Sequence, residues 1–402
     1  MAVILLSHAV ISIASVYLII HVWRKTVKKL LLGLVAAATV ANVSSASARD
    51  TISVVGSSTV YPFATVVAER FGKSTDFKAP KVESTGSGGG LKLFCKGVGV
   101  ATPDVTNASR RIKSSEFEKC QKNGVKEIVE VLIGYDGIVL ANAKGGVNFE
   151  LSRKDIYLAL AKLVPGPDGK LIENPYKTWK EVNPTLPATK IEVLGPPPTS
   201  GTRDAFAELA LEGGARQIED IATLRGLKAD KKDEIKALVA KLGIESAWAA
   251  AVKKKGEKAK GKDVVKIIGR SVREDGAYIE AGENDNLIVN KLVANPSALG
   301  IFGFSFLDQN SDKVQGSVID GKAPTFDAIA GGDYKVSRPL YFYVKKAHIG
   351  TVPGIKEYLE SFVSEDVIGE DGYLIDKGLI PLGEEQYNEM ANGARTLTNL
   401  SL

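Results

Sequence analysis

Three times in this 402-residue chain a short β-prone run ends in a turn of serine, threonine and glycine, and the residues that follow can open a helix. The first is Thr51 to Val55, leading into Gly56-Ser57-Ser58-Thr59-Val60. The second is Lys81 to Ser84, leading into Thr85-Gly86-Ser87-Gly88-Gly89-Gly90. The third is Ile191 to Leu194, which runs through three prolines to Ser200-Gly201-Thr202. Strands that alternate with helices predict an α/β fold with a parallel, doubly wound sheet and ligands bound beyond the strand C-termini. A hydroxyl- and glycine-rich turn at a helix start adds free backbone N–H groups and the positive end of the helix dipole, which together make an anion seat. A lone glycine-rich turn is more often plain punctuation. Three of them, one more than a hundred residues from the others, predict a cleft between two domains.

The front of the chain has to be set apart first. Met1 to Trp23 is apolar enough to suggest a membrane span, although His8 and His21 interrupt it. Lys28-Lys29, the apolar run Leu30 to Val43 and Ala46-Ser47-Ala48 then follow, which is the make-up of a secretory signal peptide. Two readings result: translation starts at Val27 and the first 26 residues are spurious, or residues 3–23 are an inner-membrane anchor. Either way the bulk of the chain is expected outside the cytoplasm, beginning near Arg49. Four of the 52 basic residues lie in the first 48 positions, so the remainder carries 48 against 47 acids. No nucleic-acid footprint is expected from that balance. In an oxidising compartment Cys95 and Cys120 are expected to form a disulfide.

About 350 exported residues predict two domains. Further expected elements are a strand at Val105 to Ser109, a helix at Ser115 to Lys122, and a long β-rich stretch from Lys126 to Asn142 broken at Gly134-Tyr135-Asp136-Gly137. Later come a helix over Asp204 to Leu211, another over Asn284 to Asn295, strands at Leu299 to Phe306 and Arg338 to Val344, and a helix at Ile355 to Val363. Residues 215–265, rich in Ala, Lys and Glu, predict a solvated helical insertion.

Arg110, Arg111 and Arg203 follow these turns, and a guanidinium is the side chain best shaped to fork onto an oxyanion. Enzyme readings fit less well. Gly86 to Lys92 lacks the glycine that a P-loop needs directly before its lysine, since Leu91 stands there. A serine nucleophile would need a histidine base, and beyond the leader the sequence holds only His348, expected on the surface. Asp104, after Pro103, reads as a turn residue. No Asp/His clustering suggests a metal centre.

The segments VVGSSTVYPF, STGSGGGLK, NASRRIK, GYDGI and PTSGTRDAF occur in the order and spacing of the periplasmic phosphate-binding proteins of the phosphate-specific ABC importer, and the late GIFGFSFL agrees. The chain resembles that family over about residues 50 to 390. The resemblance implies a type II periplasmic-binding-protein fold, two α/β domains with a hinge that close on dehydrated phosphate. It implies ligand contacts at Ser58, Thr59, Val60, Ser87, Ser200, Gly201 and Thr202. Two departures stand out. Arg110 occupies the place where well-known members have the aspartate that accepts the phosphate proton, and prolines replace their arginine upstream of Ser-Gly-Thr. Arg203 is then the expected substitute cation and Asp136 the expected proton acceptor.

The resulting expectations are these. Residues 1–48 are a leader, 50–139 with 338–402 build one domain, and 140–337 build the other. The function is capture of inorganic phosphate for an inner-membrane ABC permease, by a monomer in the periplasm of a Gram-negative cell, without catalysis or cofactor. The alternatives are another oxyanion, such as sulfate, molybdate or tungstate, or a secreted phosphatase using a turn serine.

Overall fold

The first valine-rich strand, β1 (Ser53–Gly56), is followed by α1 (Tyr61–Ser74), β2 (Lys81–Ser84), α2 (Ser87–Phe94), β3 (Val105–Ala108) and α3 (Ser114–Lys122). A 16-residue strand, β4 (Ile128–Ala143), then leads to α4 (Arg153–Leu160), β5 (Val193–Gly195) and α5 (Gly201–Phe206). Four helices come next: α6 (Glu219–Gly226), α7 (Lys232–Leu242), α8 (Glu245–Lys255) and α9 (Gly261–Gly269). The rest comprises β6 (Tyr278–Glu280), α10 (Asp285–Ala294), β7 (Leu299–Gly303), α11 (Phe304–Gln309), β8 (Val314–Gly316), β9 (Ser337–Lys345), α12 (Ile355–Phe362) and α13 (Glu384–Arg395). This computed structural model describes residues 49–282 and 284–402. The expected leader, with its Val27 start and its Ala46-Ser47-Ala48 site, lies outside the described residues. Among these, no helix is long and apolar enough to cross a membrane.

Nine strands make one sheet in the order β2-β1-β3-β9-β4-β7-β5-β6, with β8 paired to β4. The parallel sheet predicted from strand–helix alternation is found at both ends, where β2, β1 and β3 pair in parallel and so do β7, β5 and β6. The centre differs. There β9 runs antiparallel to both β3 and β4, and β4 antiparallel to β7. Alternation cannot reveal this, because β4 and β9 are long connections that cross from one parallel set to the other.

Residues 50–402 form one compact unit that holds distinct apolar cores. One gathers Val54, Phe63, Val67 and Phe71 with Val129, Val131 and Ile133 of β4 and Leu340, Phe342 and Val344 of β9. Another gathers Ile138, Val139 and Leu140 of β4 with Val193, Phe206, Ile288, Leu299, Phe302 and Val336. Strand β4 therefore changes core within a few residues, between Ile133 and Tyr135, and the chain does so again between Val336, just before β9, and Leu340 within it. Gly134 makes the change possible. Its φ is +139°, and a Cβ there would lie 2.5 Å from the Ile380 carbonyl oxygen. The stretch read as two runs broken at Gly134-Gly137 is one continuous strand, with its irregularity opposite Leu340 and Tyr341.

Two other expectations shift. The strand foreseen over Leu299 to Phe306 ends at Gly303, because Phe304 starts α11 and buries against the second core. The insertion at 215–265 is helical as expected, but it is more than a solvated face. Leu224, Ile235, Val239, Leu242, Val264 and Ile268 build a core with Tyr157, Val164 and Leu171, with lysines such as Lys253, Lys254 and Lys255 left outside. Cys95, ending α2, and Cys120 in α3 are joined by a disulfide with Cα atoms 4.2 Å apart.

Candidate functional site

The first turn is held from within. Ser57 Oγ accepts the N–H groups of Thr59 at 3.2 Å and Val60 at 3.4 Å, and its carbonyl accepts the Tyr61 N–H at 3.0 Å. Proline at the second position of α1 fixes the helix start without losing a needed donor. The second turn packs directly on the first. A Cβ on Gly90 would lie 2.6 Å from Gly56 Cα, so only glycine lets the start of α2 approach β1 this closely. Ser87, the first residue of α2, shares a hydroxyl contact of 3.1 Å with Ser109 and accepts the Ser109 N–H at 3.0 Å. In the third turn Ser200 caps α5 and accepts the Thr202 N–H at 3.2 Å.

These turns meet in space. A Cβ built on Gly201 would lie 3.9 Å from the Ser58 carbonyl oxygen, although 143 positions separate the two residues. Likewise a Cβ on Gly88 would lie 4.0 Å from Arg110 Nη2.

The cation at their junction was read in the sequence only as the first residue of a strand. Arg338, at the start of β9, is 8 % exposed. It donates through Nη2 to the Thr59 hydroxyl, through Nε to Asp136 at 3.3 Å and through Nη1 to Glu208 at 3.4 Å. Arg338 and Asp136 are register partners at the crossing of β9 and β4. A buried guanidinium is tolerable only with such partners. Burial pushes the Asp136 carboxyl above its ordinary range, against the pull of Arg338. Glu208 stands in the π-helical segment Ala207–Leu211 that continues α5, a distortion often found at functional sites.

The two arginines singled out from sequence are both engaged. Arg110 forms a two-pronged pair with Glu116, 2.8 Å on each prong, and this pairing raises its pKa further. Arg203 lies 4.0 Å above the Tyr278 ring and donates to the Pro196 carbonyl at 3.3 Å. That stacked guanidinium uses few of its five N–H groups. The neighbouring Arg111 pairs with Glu130 at 2.8 Å.

His348 needs correction. It is not at the surface but 1 % exposed, and Asp104, at the bend before β3 as expected, is fully buried. His348 Nε2 accepts the Gly99 N–H at 2.9 Å, which leaves Nδ1–H to donate to Asp104 Oδ1 at 2.6 Å. With both ring nitrogens occupied, His348 is not available as a general base. Among the described residues no three His, Cys, Asp or Glu gather as metal ligands. A cavity of about 600 Å³ lined by Phe304, Leu307, Phe326 and Leu379 lies apart from the three turns.

Comparison with known proteins shows the family and the fold. The family model of the PBP superfamily domain matches residues 41–366. The phosphate-binding protein PstS of Staphylococcus saprophyticus is 27% identical over 343 residues, covering 83% of this chain and 81% of its own. Protein SphX of Synechococcus elongatus is 27% identical over 346 residues, with 84% and 80% covered. A solved structure, described as a possible phosphate binding protein from Planctomyces limnophilus, has the same fold. It superposes with a TM-score of 0.62 at 24% identity and covers 87% of this chain and 99% of its own.

Proposed function

From the premise that this chain belongs to the PBP superfamily, we propose that it captures inorganic phosphate between two lobes outside the cytoplasm and hands it to a membrane permease. One observation carries this reading. The first and third hydroxyl turns, from opposite ends of the sheet, come together where the buried Arg338 holds Thr59 and Asp136. Relatives named for phosphate binding favour phosphate over the other oxyanions.

In this reading Ser58, Thr59, Val60, Ser87, Ser200, Gly201 and Thr202 donate through hydroxyls or backbone N–H groups. The bonds from Ser57 and Ser200 to the turn N–H groups are long, 3.2 to 3.4 Å, so these donors can turn to an oxyanion. Arg338 supplies the forked cation, and Arg203 adds its remaining N–H groups. Arg110 borders the second turn while neutralised by Glu116. Asp136 accepts the proton of hydrogen phosphate, a role sulfate cannot satisfy at neutral pH. The lobes divide at the β4–β9 crossing, with 338–402 in the first and the bound in β4 at Gly134 rather than at the expected 139, since Ile138 and Val139 sit in the second core. The engagement of His348 supports binding without catalysis. A monomer in a Gram-negative periplasm fits the expected leader.

Calorimetric titration of the ligand-stripped protein tests this. The expected result is one-to-one phosphate binding with no response to sulfate. Equal binding of both would remove Asp136 as the proton reader, and binding of neither would remove the phosphate reading.

A further inference from the structure

Glu208 is the acid that the phosphate reading leaves without a task. It is 42% exposed, and its two oxygens are shared between Arg338 at 3.4 Å and Arg270 at 3.3 Å. Those contacts are long beside the 2.8 Å prongs of Arg110 and Glu116. A half-exposed carboxylate held this loosely between two guanidinium groups occupies a place that an oxyanion of similar charge can take.

Behind it lies a row of cations. Arg270 is secured by its Nε on Glu212 at 2.6 Å, and Glu212 also accepts from Arg216. Lys266, one turn before Arg270 on α9, is exposed. Helix α9 packs on α8, which ends in Lys253, Lys254 and Lys255, and the Lys266 pKa is lowered by desolvation and by the charges of Arg270 and Lys254. The carboxylate therefore sits where an exposed basic row from the helical insertion meets the buried arginine of the site.

We propose that Lys254, Lys266 and Arg270 form an outer path that draws oxyanions toward Arg338, with Glu208 as the exchangeable counter-ion that gives way as the ligand enters. The path rests on the phosphate reading of the inner site. It gives the lysine-rich insertion a task, since a row of one charge beside a cleft raises the rate of capture rather than the affinity of the closed state.

Stopped-flow measurement of phosphate association with the full protein tests the path. The variants are Lys254→Gln with Lys266→Gln, chosen because both side chains are at the surface, and separately Glu208→Gln. At ~0.01 M salt, where charges act over about 30 Å, the lysine pair is expected to slow association about three- to tenfold with dissociation unchanged. At ~1 M salt, where the range is about 3 Å, the difference should vanish. Glu208→Gln is expected to speed association at low salt. An association rate that the lysine pair leaves unaltered, or a slowing that persists undiminished at high salt, overturns the path while the phosphate reading stands. A wild-type protein that binds no phosphate overturns both.

Discussion

Arg338 shows how much can rest on one side chain. Its guanidinium reaches Thr59 of the first turn, Asp136 of the crossing strand and Glu208 beyond the third turn. Replacing it removes a forked donor and leaves the Asp136 carboxylate without its cation, while Glu208 keeps Arg270. Charge-assisted hydrogen bonds are each worth roughly 1.5 to 3 kcal/mol. Arg338→Gln should therefore weaken phosphate binding by about 100-fold in a calorimetric titration. Arg338→Lys should recover little, because a point charge cannot serve three directions in one plane. Wild-type affinity in Arg338→Gln would reduce Arg338 to a structural tie. Sequence reading found the turns but not this cation. Ser58, Thr59 and Ser200 stand in local patterns that announce a helix start, whereas Arg338 opens a strand 279 positions after Thr59 and meets it only through sheet order. Arg110 and Arg203 stand beside the turns in sequence, and nearness cannot show the partner each has in Glu116 or Tyr278.

Elements were more legible than contacts, because hydrophobic period and turn chemistry are local. The bounds of β2 match the expected Lys81 to Ser84, and those of α3, β9 and α12 fall within a residue or so. What failed was direction: antiparallel pairing at the centre depends on where β4 and β9 cross, which no single stretch encodes. Two element-scale predictions follow from burial. Asp285 opens α10 and accepts the Gly303 N–H at 3.2 Å from the end of β7. Burial pushes its carboxyl up to about 6. A carboxyl raised in the folded state stabilises most below its unfolded value near 4, and that stability is lost as pH rises through about 6. Asp285→Asn should flatten this slope and add about 2 kcal/mol at pH 8, read by urea unfolding across pH. An unchanged slope would mean that Asp285 ionises freely in the fold. The Cys95–Cys120 bond closes a loop across 25 positions between α2 and α3. Replacing both cysteines by alanine should cost about 3 kcal/mol of stability, by the entropy of that loop in the unfolded chain. Equal unfolding midpoints with and without reductant would count against a structural bond.

At the scale of the whole molecule, β4 takes part in both the core around Val54 and the core around Val193, and the chain passes between them again as it enters β9. Strand β4 passes between the cores at Gly134, with Arg338 opposite Asp136 close by, so this crossing is where a hinge would bend. Gly201 meets Ser58 where these turns come together: a Cβ there would stand 3.9 Å from the Ser58 carbonyl oxygen, an ordinary contact, and a bulkier side chain would have to be accommodated between the turns. Gly201→Leu should therefore fold normally yet resist closure. Overpacking costs roughly 1 to 3 kcal/mol, so phosphate affinity should fall by about 5- to 100-fold. Small-angle scattering separates this from a local loss of donors. Phosphate should shrink the radius of gyration of the wild-type protein but change that of Gly201→Leu little at equal saturation. If neither protein shrinks when saturated, the lobes do not move, and the turns form a fixed pocket that the ligand enters along the Glu208 side.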